Sequence, residues 1–267
     1  MTDEAKAAPH VALSIAGSDS GGGAGIQADL KAFNAAGVHG CTAITALTAQ
    51  NSRGVDAISP VAPDFVLAQI DTVLSDFELR ATKTGMLFSA DIIKVVVNKA
   101  PRLGKLVVDP VMVATSGDSL LATEAEATLV KDLLPAARLI TPNFPEAQKI
   151  AEILELPVYM DLDELAQAIA CRLNGPAVLV KGGHLGEKQA TDYLATPSGE
   201  QQVYTVPRID TNNTHGTGCA YSALIAGFLA RGLQISEAVQ TAKTKLTSAI
   251  KNGYNVGGGA GTLNFMQ

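Results

Sequence analysis

The chain has 267 residues and a formal net charge of −6, with 47% apolar and only 4% aromatic residues. That length and apolar content suit one large domain, and the acidic balance lacks the basic patch or stripe of a nucleic-acid binder. Three cysteines, Cys41, Cys171 and Cys219, are too few for a disulfide scaffold and point to a reducing cytoplasm.

Met1 to His10 is polar and acidic, without the basic start and apolar run of a signal peptide. It reads as a flexible extension over 1–10, ahead of a single domain over 11–267. No apolar run approaches the ~18–20 residues of a membrane span. An anionic ligand is therefore met locally, by backbone N–H groups, a few basic side chains or a metal.

Val11 to Ala16 reads as a buried strand, followed by the loop Gly17 to Gly25 and a helix from Ile26 to about Ala36. Strand, glycine loop and helix form a ligand-binding arrangement at the C-terminal edge of a parallel sheet. The run Gly21 to Gly25 fails the G-x-G-x-x-G dinucleotide spacing, because position 26 is Ile. The next strand, Cys41 to Leu47, ends in Thr48-Ala49-Gln50-Asn51. There the Gln50 amide either meets a ligand or bonds loop backbone.

An amphipathic helix spans Asp64 to Ser75. The strand from Ala81 leads into the turn at Gly85-Met86, where Met86 either caps a flat apolar ligand or fills core. A helix runs from about Ala90 to Asn98. The strand from Lys105 ends at Asp109, an acid that is costly to bury unpaired. A metal or phosphate neighbourhood explains it, and so does a helix N-cap. Val111 to Asp118 reads as a loop, and Thr123 to Leu134 as a helix.

The strand Arg138 to Thr141 opens into Pro142-Asn143-Phe144-Pro145-Glu146. Asn143 and Glu146, three apart at a helix start, either face one ligand or form a capping box. A Mg²⁺ site fits as well, since Mg²⁺ keeps several waters and needs only one or two carboxylates. A helix covers Asp163 to Arg172. The strand Pro176 to Val180 ends in Lys181-Gly182-Gly183-His184, which reads as a phosphate contact or as a turn with a solvated lysine. Residues 190–195 and 200–206 form an antiparallel pair.

The chain is organised around Asn212-Asn213-Thr214-His215-Gly216-Thr217-Gly218-Cys219, a glycine turn that runs into an apolar helix. Free N–H groups and the positive dipole end of a helix start make an anion site. Cys219 in the first turn is expected to have a lowered thiol pKa and so to supply a thiolate; the plain alternative is a buried cysteine. Helices follow from about Cys219 to Arg231 and from Ser236 to Lys251, and Gly257-Gly258-Gly259 suggests a mobile or loop-like tail. About eight strands, mostly parallel and alternating with helices, predict a three-layer α/β/α sandwich.

Five blocks occur in order: Ala16 to Lys31, Thr48 to Asn51, Thr141-Pro142-Asn143 with Glu146, Lys181 to His184, and Asn213 to Cys219. Together they resemble the hydroxymethylpyrimidine/phosphomethylpyrimidine kinases of thiamine biosynthesis, within the ribokinase-like superfamily. The resemblance covers about Val11 to Tyr254. It implies a mostly parallel ribokinase-like sheet, ATP with Mg²⁺ and a monovalent cation, and two successive phosphorylations of a pyrimidine alcohol. It also implies a homodimer.

By resemblance, Cys219 is the base and Gly216, Thr217 and Gly218 form the anion hole. Gln50, Gly17, Asp29 and Met86 bind the pyrimidine, with holding the loop as the alternative role of Asp29. Lys181, Gly182 and Thr214 lie by the nucleotide. Glu146 and Asn143 organise Mg²⁺, with Asp109 as a third candidate. His184 and His215 read as structural. Ala220 stands where the family more often has Thr or Ser. The rivals are a pyridoxal/pyridoxine kinase of the same superfamily and a non-catalytic nucleotide- or pyrimidine-binding protein.

Overall fold

The computed structural model describes residues 8–112, 123–157, 161–183 and 188–266. Its sheet has nine strands among the described residues. They are β1 (Val11–Asp19), β2 (His39–Asn51), β3 (Gly54–Pro60), β4 (Leu79–Thr84), β5 (Lys105–Val108), β6 (Leu139–Ile140), β7 (Ala177–Lys181), β8 (Gln189–Ala195) and β9 (Gln201–Pro207). The order across the sheet is β3-β2-β1-β4-β5-β6-β7-β8-β9. From β2 to β7 neighbours run parallel, while β3, β8 and β9 are antiparallel additions at the edges.

The helices are α1 (Gly25–Ala36), α2 (Pro63–Asp76), α3 (Ala90–Lys99), α4 (Thr123–Thr128), α5 (Phe144–Ile153), α6 (Leu162–Leu173), α7 (Thr217–Ala230) and α8 (Ile235–Lys251). They cover both faces, which is why β1 is apolar on both sides: Ala12, Leu13 and Ile15 are all fully buried. Ala12, Ala81, Val107 and Leu139 face the layer of α1, α7 and α8. Leu13, Ile15, Val108 and Ile140 face the layer that holds α2, α3, α5 and α6. Helix α7 is buried from Ala220 to Ala230, as expected of a helix that is apolar all round. Helix α8 buries Ala238, Val239, Ala242, Leu246 and Ala249 on one stripe and closes the layer.

The chain passes from β1 to β2 on one side and then returns to β4 on the other. This reversal is a topological switch point, where an open α/β sheet leaves a crevice at the carboxyl ends of its strands.

The expected sandwich is present, with four corrections. The ninth strand is β3, which the count of eight omits; β2 runs on to Asn51 and turns back as a hairpin. The helix expected over 123–134 is α-helical only to Thr128, then widens to a π-turn over Leu129–Leu133 and tightens to a 3₁₀ turn over Leu134–Ala136. The glycine-rich tail is loop-like but docked: Gly259 N–H donates to Ser52 Oγ at 3.1 Å and Ala260 N–H to the Ser52 carbonyl at 3.1 Å. In the expected extension over 1–10, the His10 carbonyl already accepts from His39 N–H at 2.8 Å. His184 and most of the loop expected over 111–118 lie outside the described residues. No described helix is long and apolar enough to cross a membrane.

Candidate active site

The parallel strands deliver most of the singled-out residues to one edge. Gly17 lies in β1, Gln50 near the end of β2, Met86 two residues beyond β4, Asp109 just beyond β5, Asn143 after β6 and Lys181 at the end of β7. The anion turn arrives from outside the sheet, at the start of α7.

That turn begins with Gly216 at φ 77°, a left-handed conformation that an L side chain resists. No side chain caps α7. Thr217 spends both its N–H (3.2 Å) and its hydroxyl (2.7 Å) on the Thr214 carbonyl. Ala220 N–H goes to the Gly216 carbonyl at 2.9 Å. Gly216, Gly218 and Cys219 keep N–H groups with no backbone or side-chain oxygen acceptor among the described residues. Of the N–H groups expected to form a hole from Gly216 through Cys219, that of Thr217 is therefore already engaged.

Lys181 and Asp109 stand beside this turn. A Cβ placed on Gly218 would lie 3.6 Å from Lys181 Nζ and 4.0 Å from Asp109 Oδ2. Lys181 Nζ meets Asp109 Oδ1 at 2.9 Å. Thr141 Oγ1 donates to the same oxygen at 3.1 Å, and Ser222 Oγ donates to Oδ2 at 3.2 Å. Burial works against the Lys181 charge, but Asp109 and Glu146 outweigh it and raise the pKa. Glu146 is 8% exposed. Burial pushes its carboxyl up to about 7; Lys181 opposes that and Asp109 adds to it.

Gly17, Met86 and Gln50, the residues expected to meet the pyrimidine, stand at the same strand edge. A Cβ on Gly17 would be 2.5 Å from Met86 Cε, so the glycine lets the methionine lie against β1. The Gln50 side-chain oxygen accepts from Thr48 Oγ1 at 3.1 Å. Its amide NH₂ has no acceptor among the described residues, which leaves two donors for a ligand. Gly25, at the start of α1, connects the halves: it packs on the Gly17 carbonyl, and its N–H reaches the Cys219 sulfur.

Several expectations change. The lowered thiol pKa at Cys219 is overturned, because burial pushes the thiol up. Lys83 and the Gly25 N–H pull it down, but Asp29 and Asp109 add to the rise. Asp29 does not present its carboxylate to a ligand. It is fully buried and holds Lys83 Nζ at 2.9 and 2.8 Å, while Ser14 Oγ donates to it at 2.6 Å. Burial disfavours the Lys83 ammonium, but Asp29 more than offsets this and its pKa is raised.

Asn143 is a helix cap: its side chain accepts Glu146 N–H at 2.8 Å, and Glu146 Oε2 accepts Asn143 N–H at 2.8 Å. Its carbonyl oxygen is therefore already engaged. The Gly182 N–H is shared between the Thr191 carbonyl at 3.0 Å and Asp192 Oδ1 at 3.2 Å, so it does not reach for a nucleotide. Thr214 donates its N–H to the Asn212 carbonyl at 3.0 Å but is exposed, with its hydroxyl unengaged among the described residues.

Three residues bonded into this part of the structure carry no reading from the sequence. Lys83 carries no motif signal, Ser222 looks like one more small residue of an apolar helix, and Asp19 resembles any loop acid. For Asp19, its place at the end of a buried strand was the available signal.

A helix start with unengaged N–H groups, flanked by a lysine and two carboxylates at the carboxyl edge of a ribokinase-like sheet, is the arrangement of a phosphotransferase. The comparisons narrow the class. The chain matches a family model described as phosphomethylpyrimidine kinase over residues 19–264. It is 46% identical to the Escherichia coli hydroxymethylpyrimidine/phosphomethylpyrimidine kinase, covering 95% of this chain and 96% of that one. Among solved structures, an ADP complex of Bacillus subtilis pyridoxal kinase is similar at TM-score 0.86 and 36% identity, over 97% and 98% of the two chains. A Clostridium difficile phosphomethylpyrimidine kinase is similar at TM-score 0.77 and 43% identity, over 90% and 99%. The chain belongs to the phosphomethylpyrimidine kinase family.

Proposed function

We propose that the chain transfers the γ-phosphoryl group of ATP first to hydroxymethylpyrimidine and then to its monophosphate. One juxtaposition carries this reading: uncapped N–H groups at Gly218 and Cys219, with Lys181 and Asp109 on one side and the Gly17–Met86 wall with Gln50 on the other. The Gln50 NH₂ reads a ring-nitrogen acceptor of the pyrimidine, and Met86 lies on its face.

In the first transfer the alcohol oxygen attacks the γ-phosphorus, its proton passes to Cys219 in its deprotonated thiolate form, a form that burial disfavours, and ADP leaves. The hole N–H groups and Lys181 take up charge on the moving phosphoryl group. In the second transfer the nucleophile is a phosphate oxyanion, which has no proton to give up. Cys219 then serves only through its N–H.

The acids around Lys181 fit Mg²⁺. Glu146 is a nearly buried carboxyl pushed up to about 7 beside a second carboxylate, an arrangement that a divalent cation would relieve. Glu146 and Asp109 would hold it, with waters filling the remaining positions, since no larger acidic cluster exists among the described residues. Bound there, Mg²⁺ supplies charge neutralisation for the phosphates of ATP. Asn143 acts through Glu146, as its cap.

ADP release is measured with hydroxymethylpyrimidine, its monophosphate, pyridoxal and a sugar alcohol in parallel. Turnover on both pyrimidines is expected. Turnover confined to pyridoxal would overturn the substrate while keeping the chemistry. ATP binding without ADP release would leave a binding protein.

A further inference from the structure

His215 sits where the two glycine segments of the site meet. Its Nε2 lies 3.0 Å from Asp19 Oδ2. Asp19, only 2% exposed at the end of β1, also accepts Gly21 N–H at 2.7 Å on Oδ1. On Oδ2 it accepts Gly23 N–H at 3.0 Å and Ala24 N–H at 2.8 Å. The carboxylate therefore closes its own loop with three bonds and reaches the anion turn with the fourth. Burial alone would push the Asp19 carboxyl up, but the bonds from His215, Ala24 and Gly21 outweigh it and hold the pKa below its ordinary value.

Contacts on both sides of that bond leave no slack. A Cβ on Gly23 would strike the His215 ring, and one on Gly216 would strike the Gly23 carbonyl. Behind the ring, His215 N–H donates to the Gly261 carbonyl at 3.1 Å. The loop held in this way ends at Gly25, whose N–H meets the Cys219 sulfur. Helix α1 has no capping side chain, so its start is steadied by the Asp19 loop instead.

We propose that His215 and Asp19 form a latch that seats the Ser18–Gly25 loop against the anion turn, holding Gly25 N–H and the Gly216–Cys219 turn in one register during phosphoryl transfer. His215 is a positioning residue that acts through Asp19. The latch rests on the reading of that turn as the anion hole. A ring that only braced the fold would stabilise the protein without setting its turnover number.

The test is steady-state kinetics on the full chain with Mg-ATP and each pyrimidine, for His215→Leu, His215→Asn, His215→Gln, Asp19→Asn and the double variant His215→Leu/Asp19→Asn. Gln keeps an N–H donor at roughly the reach of Nε2; Asn is too short, and Leu has none. Misplacing catalytic groups by ~1 Å is enough for a loss on the order of 10²-fold. His215→Leu and His215→Asn should lose about that much kcat, with KM for ATP shifting less than ~threefold, whereas His215→Gln should stay within ~tenfold of the parent. The double variant should be no worse than its worse single parent, because both break one bond.

Parent-like kcat in the Leu and Asn variants would overturn the latch, whatever their Tm. Equal losses in Gln and Asn, or additive losses in the double variant, would overturn it too. If His215→Leu fails to fold, the Gln and Asn pair decides alone. Turnover of Cys219→Ala, assayed separately, reports on the base role of Cys219, so failure of that role and failure of the latch are distinguishable.

Discussion

Helices α5 and α7 both begin at the carboxyl edge of the sheet, and they begin in opposite ways. Helix α5 is closed by a reciprocal capping box between Asn143 and Glu146. Helix α7 opens on a left-handed glycine with no side chain to receive its first N–H groups. A helix start leaves four orphan donors, so a start satisfied by its own side chains is finished as structure. One left bare beside a lysine still has donors to offer a ligand. The same N–H groups are thus spent on the fold at one place and left for the proposed anion hole at the other.

The sharpest way to break this comparison is to substitute Cys219. General-base loss typically costs ~10²–10⁴-fold, so Cys219→Ala should lose that much in the first phosphorylation and far less in the second, whose nucleophile carries no proton. Equal losses on both substrates, measured by separate ADP-release assays, would overturn the base role, and no loss on either would confine Cys219 to its backbone N–H, which alanine keeps. Because burial pushes the thiol up, the first reaction should also speed up with pH through the neutral and mildly alkaline range, while the second does not. Next in size, Gly216→Ala puts a Cβ onto the Gly23 carbonyl at a positive φ. It should lower kcat on both pyrimidines by about 10²-fold, since both use the turn.

Glu146 sharpens the comparison from the α5 side. Its folded pKa is about 7, against 4.5 ordinarily. For an acid raised on folding, stability is full below the ordinary value and is lost as pH rises towards the folded one. The metal-free Tm should therefore decline between about pH 4.5 and 7, and Glu146→Gln should flatten that decline. Mg²⁺ binding near pH 7 should release a proton, seen by calorimetry in buffers of different ionisation enthalpy. The smallest effect is expected from Asn143→Ala. Loss of a cap costs about 1 kcal/mol, to be read as a lower denaturant midpoint with kcat little changed.

The contrast also explains what the sequence made legible. Asn-x-x-Glu after a strand and Gly-x-Gly before an apolar helix are local patterns, and both starts were readable from spacing. Strand ends were readable as well, because buried parallel strands are short apolar runs bounded by turns. Pairings across the fold were not. Lys83 finds Asp29 at 54 residues' separation and His215 finds Asp19 at 196, and neither partner carries any mark of the other. The hairpin strand β3 escaped because Gly54 to Pro60 is a half-exposed edge without a clear apolar run. The local pattern misleads at the Cys219 thiol for a related reason. A helix start is a local feature, but the burial that pushes the thiol up is made by the whole site.

The Lys83–Asp29 pair has a consequence for how this site can change over generations. Both partners are entirely enclosed, and removing one leaves the other as a lone charge in the interior, at a cost of roughly 3–5 kcal/mol. That is a large part of the stability of an ordinary domain. Neither residue can drift alone, and a path to an uncharged floor beneath Cys219 must replace both within a short mutational interval. Descendants of this chain should therefore keep the pair or lose it as a unit, even where Gly17, Gln50 and Met86 are exchanged.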